Sequence, residues 1–342
     1  MDIVTQALLG GVLAQSVARK GEKKVATLAG LFAGLLADMD ILIQSADDPL
    51  LNIEYHRHFS HSLLFIPFGA AIATLFLWLF VRHHLAIQRL YLFCLAGFSL
   101  SGVLDALTSY GTMLFWPFSE QRVALNLIAI VDPFFTLILL VGLLLGLIWL
   151  QRRIAWGTLL LCAFYLGFAV LQQQRVQALA GELLTARNHV AQQQVVKPTM
   201  GNLLLWRSVY VHDGHIYVDA LRVGLLADRL IYPGDSVARF IQHRDLPQLK
   251  PQTILAGDIR RFESFSGGFV AFDPQQENIL GDIRYSMLPV GVRPLWGIVI
   301  DPEKPQQHVD YRFFRDSSAG VRHTFMNMLL GRCDEVDCYR AD

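Results

Sequence analysis

Apolar residues gather in long runs over the first half of the chain and alternate with polar ones over the second. The runs cover residues 3–18, 25–43, 62–81, 90–107, 127–150 and 154–171. A helix of about 20 apolar residues crosses about 30 Å of hydrocarbon, and most of these runs reach that length. The first is short and is weakened by Gln15 and Ser16. The pattern predicts about six spans, with five spans and a half-inserted first helix as the alternative. After residue 171 the texture changes. Residues 172–194 are rich in glutamine with alanine and leucine at helical spacing, which predicts a polar connecting helix over 172–198, broken at Lys197-Pro198. Beyond it, Trp206–Val211 and Ile216–Val218 alternate around Asp213-Gly214, a hairpin signal. Further strands are expected within 262–272, 282–287, 296–300 and 308–314. The expected fold is an α-helical polytopic membrane domain (1–171) followed by a small, mostly antiparallel β extramembrane domain (199–342).

Composition supports the membrane reading. Of 342 residues, 53% are hydrophobic and only 17% charged, and the mean hydropathy is +0.38, values that suit a polytopic membrane protein better than a soluble enzyme. Lys and Arg together number 29, as do Asp and Glu, so net charge points to no nucleic-acid partner. Membrane lipids are the expected surroundings, and the sequence leaves the oligomeric state open. The first cation is Arg19, behind the first apolar run, so a cleavable leader is not expected.

Charge in the loops sets an orientation. Arg19, Lys20, Lys23 and Lys24 lie between runs one and two, Arg82 and Arg89 between three and four, and Arg152 and Arg153 between five and six. The other loops are poorer in cations. By the positive-inside rule the odd loops are cytoplasmic, which puts both termini and the β domain outside, a periplasmic side if the membrane is a bacterial inner one. Of four cysteines, Cys94 and Cys162 fall in apolar runs as small buried hydrophobes, while Cys333 and Cys338 could pair in an oxidising compartment or sit near a metal.

Candidate chemistry gathers between Asp38 and Ser62. Asp38 and Asp40 end an apolar run, and His56-Arg57-His58-Phe59-Ser60-His61-Ser62 opens the next. Carboxylates and imidazoles are metal ligands, and an arginine among them suits an anionic substrate. On a regular helix Asp38 and Asp40 would point about 200° apart, so both can face one site only if the helix ends or unwinds there. Asp105 ends the fourth run. Asp132-Pro133 has the form of a helix start, with proline at the first helical position. In the expected topology Asp2, Thr5, Gln6, Asp38, Asp40, the histidines, Asp105 and Asp132 all fall on the outer side. His83 and His84 are expected to be solvated loop residues.

The opening Met1–Gly10, Asp38-Met39-Asp40, His56-Arg57 with Ser60-His61-Ser62, Asp105 with Thr108–Thr112, Trp116–Ser119 and Ile130–Pro133, taken in order, resemble the bacterial inner-membrane, metal-dependent hydrolase family of the YdjM type, some of whose members are regulated by LexA. The resemblance covers residues 1–140 by motif and continues loosely through Leu205–Arg207 and Gly281–Tyr285. It implies Asp38, Asp40, His56, His61 and Asp105 as metal ligands and Arg57, Asp40 and His58 as candidate catalytic residues. The chain departs from the family pattern at Ser101, where many relatives carry a histidine, and at His58, where glycine is common. The cofactor expected is a divalent metal ion, zinc being favoured by mixed nitrogen and oxygen ligands. The expected activity is hydrolysis at the outer membrane–water interface of a lipid or lipid-linked ester or phosphoester. The alternatives are a non-catalytic scaffold with a structural metal and, behind it, a transporter using intramembrane acids.

Overall fold

A computed structural model describes residues 1–83, 85–226 and 228–341. His83 is exposed, and His84 lies outside the described residues. The helices are α1 (Ile3–Val17), α2 (Lys23–Ala37), α3 (Leu51–Tyr55), α4 (Ile66–Val81), α5 (Ile87–Phe98), α6 (Ser101–Ala106), α7 (Pro133–Trp149), α8 (Arg152–Ala186), α9 (Gln242–Asp245), α10 (Ile254–Phe265) and α11 (Ala319–Leu330). The strands are β1 (Gln193–Pro198), β2 (Leu205–His212), β3 (His215–Val223), β4 (Arg229–Ala238), β5 (Val270–Asp273), β6 (Gln276–Asp282), β7 (Trp296–Val299), β8 (Asp310–Phe313) and β9 (Tyr339–Arg340). They form two compact units: Met1–Ile43, Tyr55–Leu171 and Met200–Asn202 in the first, and Gln44–Glu54, Gln172–Thr199 and Leu203–Asp342 in the second.

Each apolar run of the sequence carries a helix in the first unit. Four continuous helical segments among the described residues are long and apolar enough to cross a membrane: Lys20–Leu42, Leu63–Val81, Ile87–Ala106 and Arg152–Ala186. The apolar helices α1 and α7 are shorter. α7 starts later than its run because Pro133 supplies the first helical position and the Asp132 carboxylate accepts the Phe135 N–H at 3.1 Å. Small residues let the helices approach. A Cβ placed on Gly10 would lie 2.3 Å from the Gly30 carbonyl oxygen and 2.9 Å from that of Gly97, so α1, α2 and α5 meet backbone to backbone. Ala26, Ala29 and Ala33 continue the seam, and Phe93 and Phe98 fill beside it. Leu75 and Leu79 of α4, Leu137 and Leu144 of α7, and Leu160 and Phe164 of α8 stay exposed, as lipid-facing side chains do.

In the second unit β1-β2-β3-β4-β9 form one antiparallel sheet and β5-β6-β7-β8 another. The Asp213-Gly214 hairpin joins β2 to β3, with His212 opposite His215 and both turn residues at positive φ (46° and 71°). Three expectations are corrected here. The 172–198 stretch is not one helix: α8 runs on without a break to Ala186, and Gln193–Pro198 is a strand. Residues 262–272 divide between α10 and β5, because Leu255, Ile259 and Phe262 fall at helical spacing on one buried face and Thr253 caps that helix. The 282–287 stretch lies past β6 in a turn, with only Asp282 in the strand. Cys333 and Cys338 are disulfide-bonded, their Cα atoms 5.3 Å apart, and Cys94 and Cys162 are buried free thiols.

β1 carries a buried lysine. Lys197 is opposite Arg207, its Nζ makes no hydrogen bond, and it lies 2.9 Å from the centroid of the Tyr285 ring. Burial, reinforced by the Arg284 and Arg207 guanidiniums and opposed by Asp282, pushes the amine well below its usual range. Its folded pKa is thus below its unfolded value of about 10.4, so between the two the unfolded chain binds the extra proton and stability rises with pH. Lys197→Met is therefore expected to stabilise the protein at neutral pH by about 1–3 kcal/mol. That gain should shrink as pH approaches about 10. Thermal unfolding of the full chain in detergent, followed by tryptophan fluorescence across that pH range, checks both statements. A variant less stable than wild type at neutral pH would show that the Tyr285 face offsets the burial.

Candidate metal centre

The site forms where local structure breaks. α2 ends at Ala37, and Asp38–Leu42 winds into a tighter 3-10 turn. This release lets Asp38 and Asp40 address opposite edges of one ring, that of His61. The imidazole comes from a second 3-10 turn, Phe59–His61, after which Ser62 caps the next turn by accepting the Phe65 N–H. Asp105 comes from α6, which packs against the His61 turn so closely that a Cβ on Gly102 would lie 1.9 Å from the His61 carbonyl oxygen.

Hydrogen bonds set the ring's tautomer. Ser60 Oγ donates its one proton to Asp40 Oδ2 at 2.5 Å. The Nδ1 edge of His61 then faces two acceptors, Ser60 Oγ at 3.0 Å and Asp40 Oδ2 at 3.3 Å, so Nδ1 carries the proton. The Nε2 edge faces Asp105 Oδ2 at 2.9 Å and Asp38 Oδ1 at 3.3 Å, without hydrogen-bond geometry to either. Both Asp38 oxygens are buried and also make no hydrogen bond. A buried carboxylate left this way costs several kcal/mol unless a cation is close. The three donor atoms lie within 4.8 Å of one another. Bonds of about 2.0–2.1 Å in a tetrahedral site place ligand atoms about 3.4 Å apart, near the 3.3 and 2.9 Å that separate His61 Nε2 from Asp38 and Asp105. These residues fit a divalent ion. Asp40 on Nδ1 stands where a carboxylate would orient a metal-bound imidazole.

Arg57 is built into the same cluster. It adopts a left-handed conformation (φ 59°), rare for a side chain with a Cβ and costing about 1 kcal/mol or more. In return its N–H donates to Asp40 Oδ2 at 2.7 Å, and its carbonyl accepts from Met113 N at 3.1 Å and Thr112 Oγ1 at 3.0 Å. The guanidinium reaches Asp105 Oδ1 at 3.3 Å and the Met1 carbonyl at 2.7 Å, and it stacks 5.1 Å from the Tyr110 ring. Arg122 stacks on the same ring at 5.2 Å and donates to the His56 carbonyl.

The structure brings Asp38, His61 and Asp105 together around one point. It sets Asp40 on the far edge of His61, where its oxygens serve Ser60, Arg57 N and His56 Nδ1 (2.9 Å). Burial pushes the His56 imidazole down from its usual pKa, against the pull of Asp40. His58 stacks among Tyr55, Phe59 and Trp116. Ser101, at the departure from the family pattern, is buried in α6. Gln6 was legible only as a polar residue opening the first run, yet its Nε2 donates to Asp105 Oδ2 at 2.7 Å, and its Oε1 is buried without a partner. The Met1 amino group also lies on Asp105. Asp132 takes no part: it caps α7 and accepts from Tyr165 Oη at 2.7 Å.

A second group of possible ligands, Asp48, Asp258 and His308, lies in the second unit. There Arg261 bridges Asp48 at 3.0 Å, Asp258 at 3.1 Å and Glu54 at 2.6 Å, so a guanidinium already supplies the counter-charge.

Residues 1–176 match the YdjM inner membrane protein family. A Bacillus subtilis (strain 168) protein, the uncharacterized protein YfhP, is 33% identical over 128 residues, a match spanning 37% of this chain and 38% of that protein. No solved structure matches the chain.

Proposed function

This chain belongs to the YdjM inner membrane protein family, and we propose that it is a membrane-bound, metal-dependent hydrolase. The reading rests on the Nε2 edge of His61, which, like both oxygens of Asp38, is buried without a hydrogen bond and lies beside Asp105. Asp38, His61 and Asp105 would hold the ion, with zinc favoured by the N/O donor set. A bound ion there supplies Lewis-acid activation of water and of the scissile bond. Asp40 keeps the His61 proton on Nδ1, and Gln6 donates to the Asp105 oxygen that faces His61. Arg57, tethered by Asp105, supplies positive charge for a phosphoryl or acyl oxygen. Arg122 on Tyr110 adds a second cation. Carboxylates at the end of an apolar run support a site at the membrane–water interface, with a lipid or lipid-linked phosphoester as the proposed substrate class.

The same reading takes α1 and α7 as spans, six in all with the four longer ones, and puts the second unit in the periplasm. The cation-rich odd loops support that orientation, as does the Cys333–Cys338 bond, since disulfides persist in oxidising compartments.

The test is hydrolysis in proteoliposomes. Wild-type protein loaded with zinc or manganese is expected to release headgroup phosphate, and Arg57→Lys to lower turnover on phosphoesters by about tenfold or more, because lysine cannot reproduce the guanidinium fork. A scaffold reading has one observation in its favour: Asp105 and His61 are 0% and 1% exposed, as in closed structural sites. If metal removal lowers the melting temperature while no lipid ester is turned over with metal present, the scaffold replaces the hydrolase.

A further inference from the structure

The tip of the β3–β4 hairpin carries Leu225 and Leu226, which are 69% and 86% exposed. Leucines this exposed on a loop need a reason, since burying each would be worth about 1.5–3 kcal/mol. α8 shows where the tip stands. Its stretch from Ile154 to Leu171 lies between Arg152-Arg153 and the polar run Gln172–Arg175. That apolar stretch is about 27 Å long at about 1.5 Å per residue, so the helix leaves the hydrocarbon close to Leu171.

The hairpin is tied along the helix just past that exit, in a definite direction. Arg187, beyond the end of α8, holds Asp219 of β3 through two bonds of 2.7 Å. Glu182 pairs with Arg229, where β4 begins. Gln172 Nε2 donates to the Val223 carbonyl at 3.0 Å and to the Leu203 carbonyl at 3.1 Å. Arg175 donates to the Gly224 carbonyl at 2.8 Å and also to that of Leu226. Later helix residues thus hold the body of the hairpin and earlier ones its end. The tip is fastened to the turn of α8 that follows its apolar stretch.

We propose that Leu225 and Leu226 insert into the membrane interface and anchor the second unit to the lipid surface. The occupant is the bilayer itself, because the tip is bonded to Gln172 and Arg175, the first polar turn after the apolar stretch of α8. The inference does not depend on hydrolase activity.

Site-directed spin labelling of the full chain in liposomes tests it. Cys94 and Cys162 are replaced by alanine, the Cys333–Cys338 bond is kept, and a nitroxide is attached at Leu226→Cys. Phe164→Cys serves as the lipid reference and Val190→Cys, 76% exposed just past α8, as the aqueous one. Collision with oxygen, which partitions into lipid, is compared with collision with a water-soluble nickel complex. The label at position 226 is expected to favour oxygen, with the accessibility ratio shifted toward that of position 164. A ratio like that of position 190 overturns the proposal. So does low accessibility to both reagents, which would mean that protein covers the tip.

Discussion

Purified Asp38→Ala/His61→Ala protein should contain no bound divalent metal, whereas wild type loaded with zinc or manganese should approach one ion per chain. The expectation follows from magnitudes. In the wild type, Asp38 is a buried carboxylate without a hydrogen bond, next to an imidazole nitrogen without one, and each such group costs about 1–3 kcal/mol or more if nothing satisfies it. A cation bound by Asp38, His61 Nε2 and Asp105 satisfies all of them together. Removing two of three ligands should lower affinity below detection, while the fold persists because the double variant also removes the unsatisfied groups. Asp40→Asn gives a graded result. Its carboxylate would act on the ion through the Nδ1 edge of His61, and losing such a partner lowers metal affinity by about 10–100-fold. Elemental analysis of folded, size-fractionated protein reads each outcome. Absence of metal from wild type after loading would sink the metal centre and with it the hydrolase.

Gly102→Ala should be the most damaging single-methyl change in the helical unit. The added Cβ would meet the His61 carbonyl oxygen at 1.9 Å and its carbonyl carbon at 2.9 Å. These are backbone atoms, so no side-chain rotation relieves the contact, and either α6 or the Phe59–His61 turn must move by about 1 Å. Since Asp105 is on α6 and His61 is on the turn, the shift separates two donors that a metal needs held within about 0.5 Å. The expected result is a destabilisation of about 3 kcal/mol and a fall in metal affinity of at least about tenfold. Gly167→Ala is the control: a Cβ there meets nothing within 4 Å, and in a helix the change should stabilise by about 0.5–1 kcal/mol. Thermal unfolding and metal titration of the two variants side by side separate local clash from helix propensity. A Gly102→Ala protein with wild-type metal affinity would contradict the close packing of α6 on the His61 turn.

Features written in a few adjacent residues were legible in advance. The apolar runs became helices, Asp132-Pro133 became the start of α7, and Asp213-Gly214 became a hairpin turn with both residues at positive φ. Errors arose where one short apolar pattern fits two periods. Phe262 and Phe265 read as strand residues beside Phe269 and Val270, yet they belong to α10, because Leu255 and Ile259 had already set a helical face against a buried core. The end of α8 was misplaced for a related reason: nothing local marks Ala186, while Gln193–Pro198 is drawn into a strand by its pairing with β2.

The candidate site divides the same way. From sequence alone came the residue types and their gathering near Asp38–Ser62 and Asp105, because metal-binding chemistry is carried by side-chain identity. Which edge of His61 each carboxylate takes was decided only in three dimensions. So were the left-handed backbone at Arg57, the closeness of Gly102 to the His61 carbonyl, and the part played by Gln6, which lies 99 positions from Asp105 in the chain yet bonds to it. Turn and helix signals act over a few residues and survive in a linear reading. A polar site is set by contacts among segments that meet only after the helices have packed, so its roles belong to the tertiary structure.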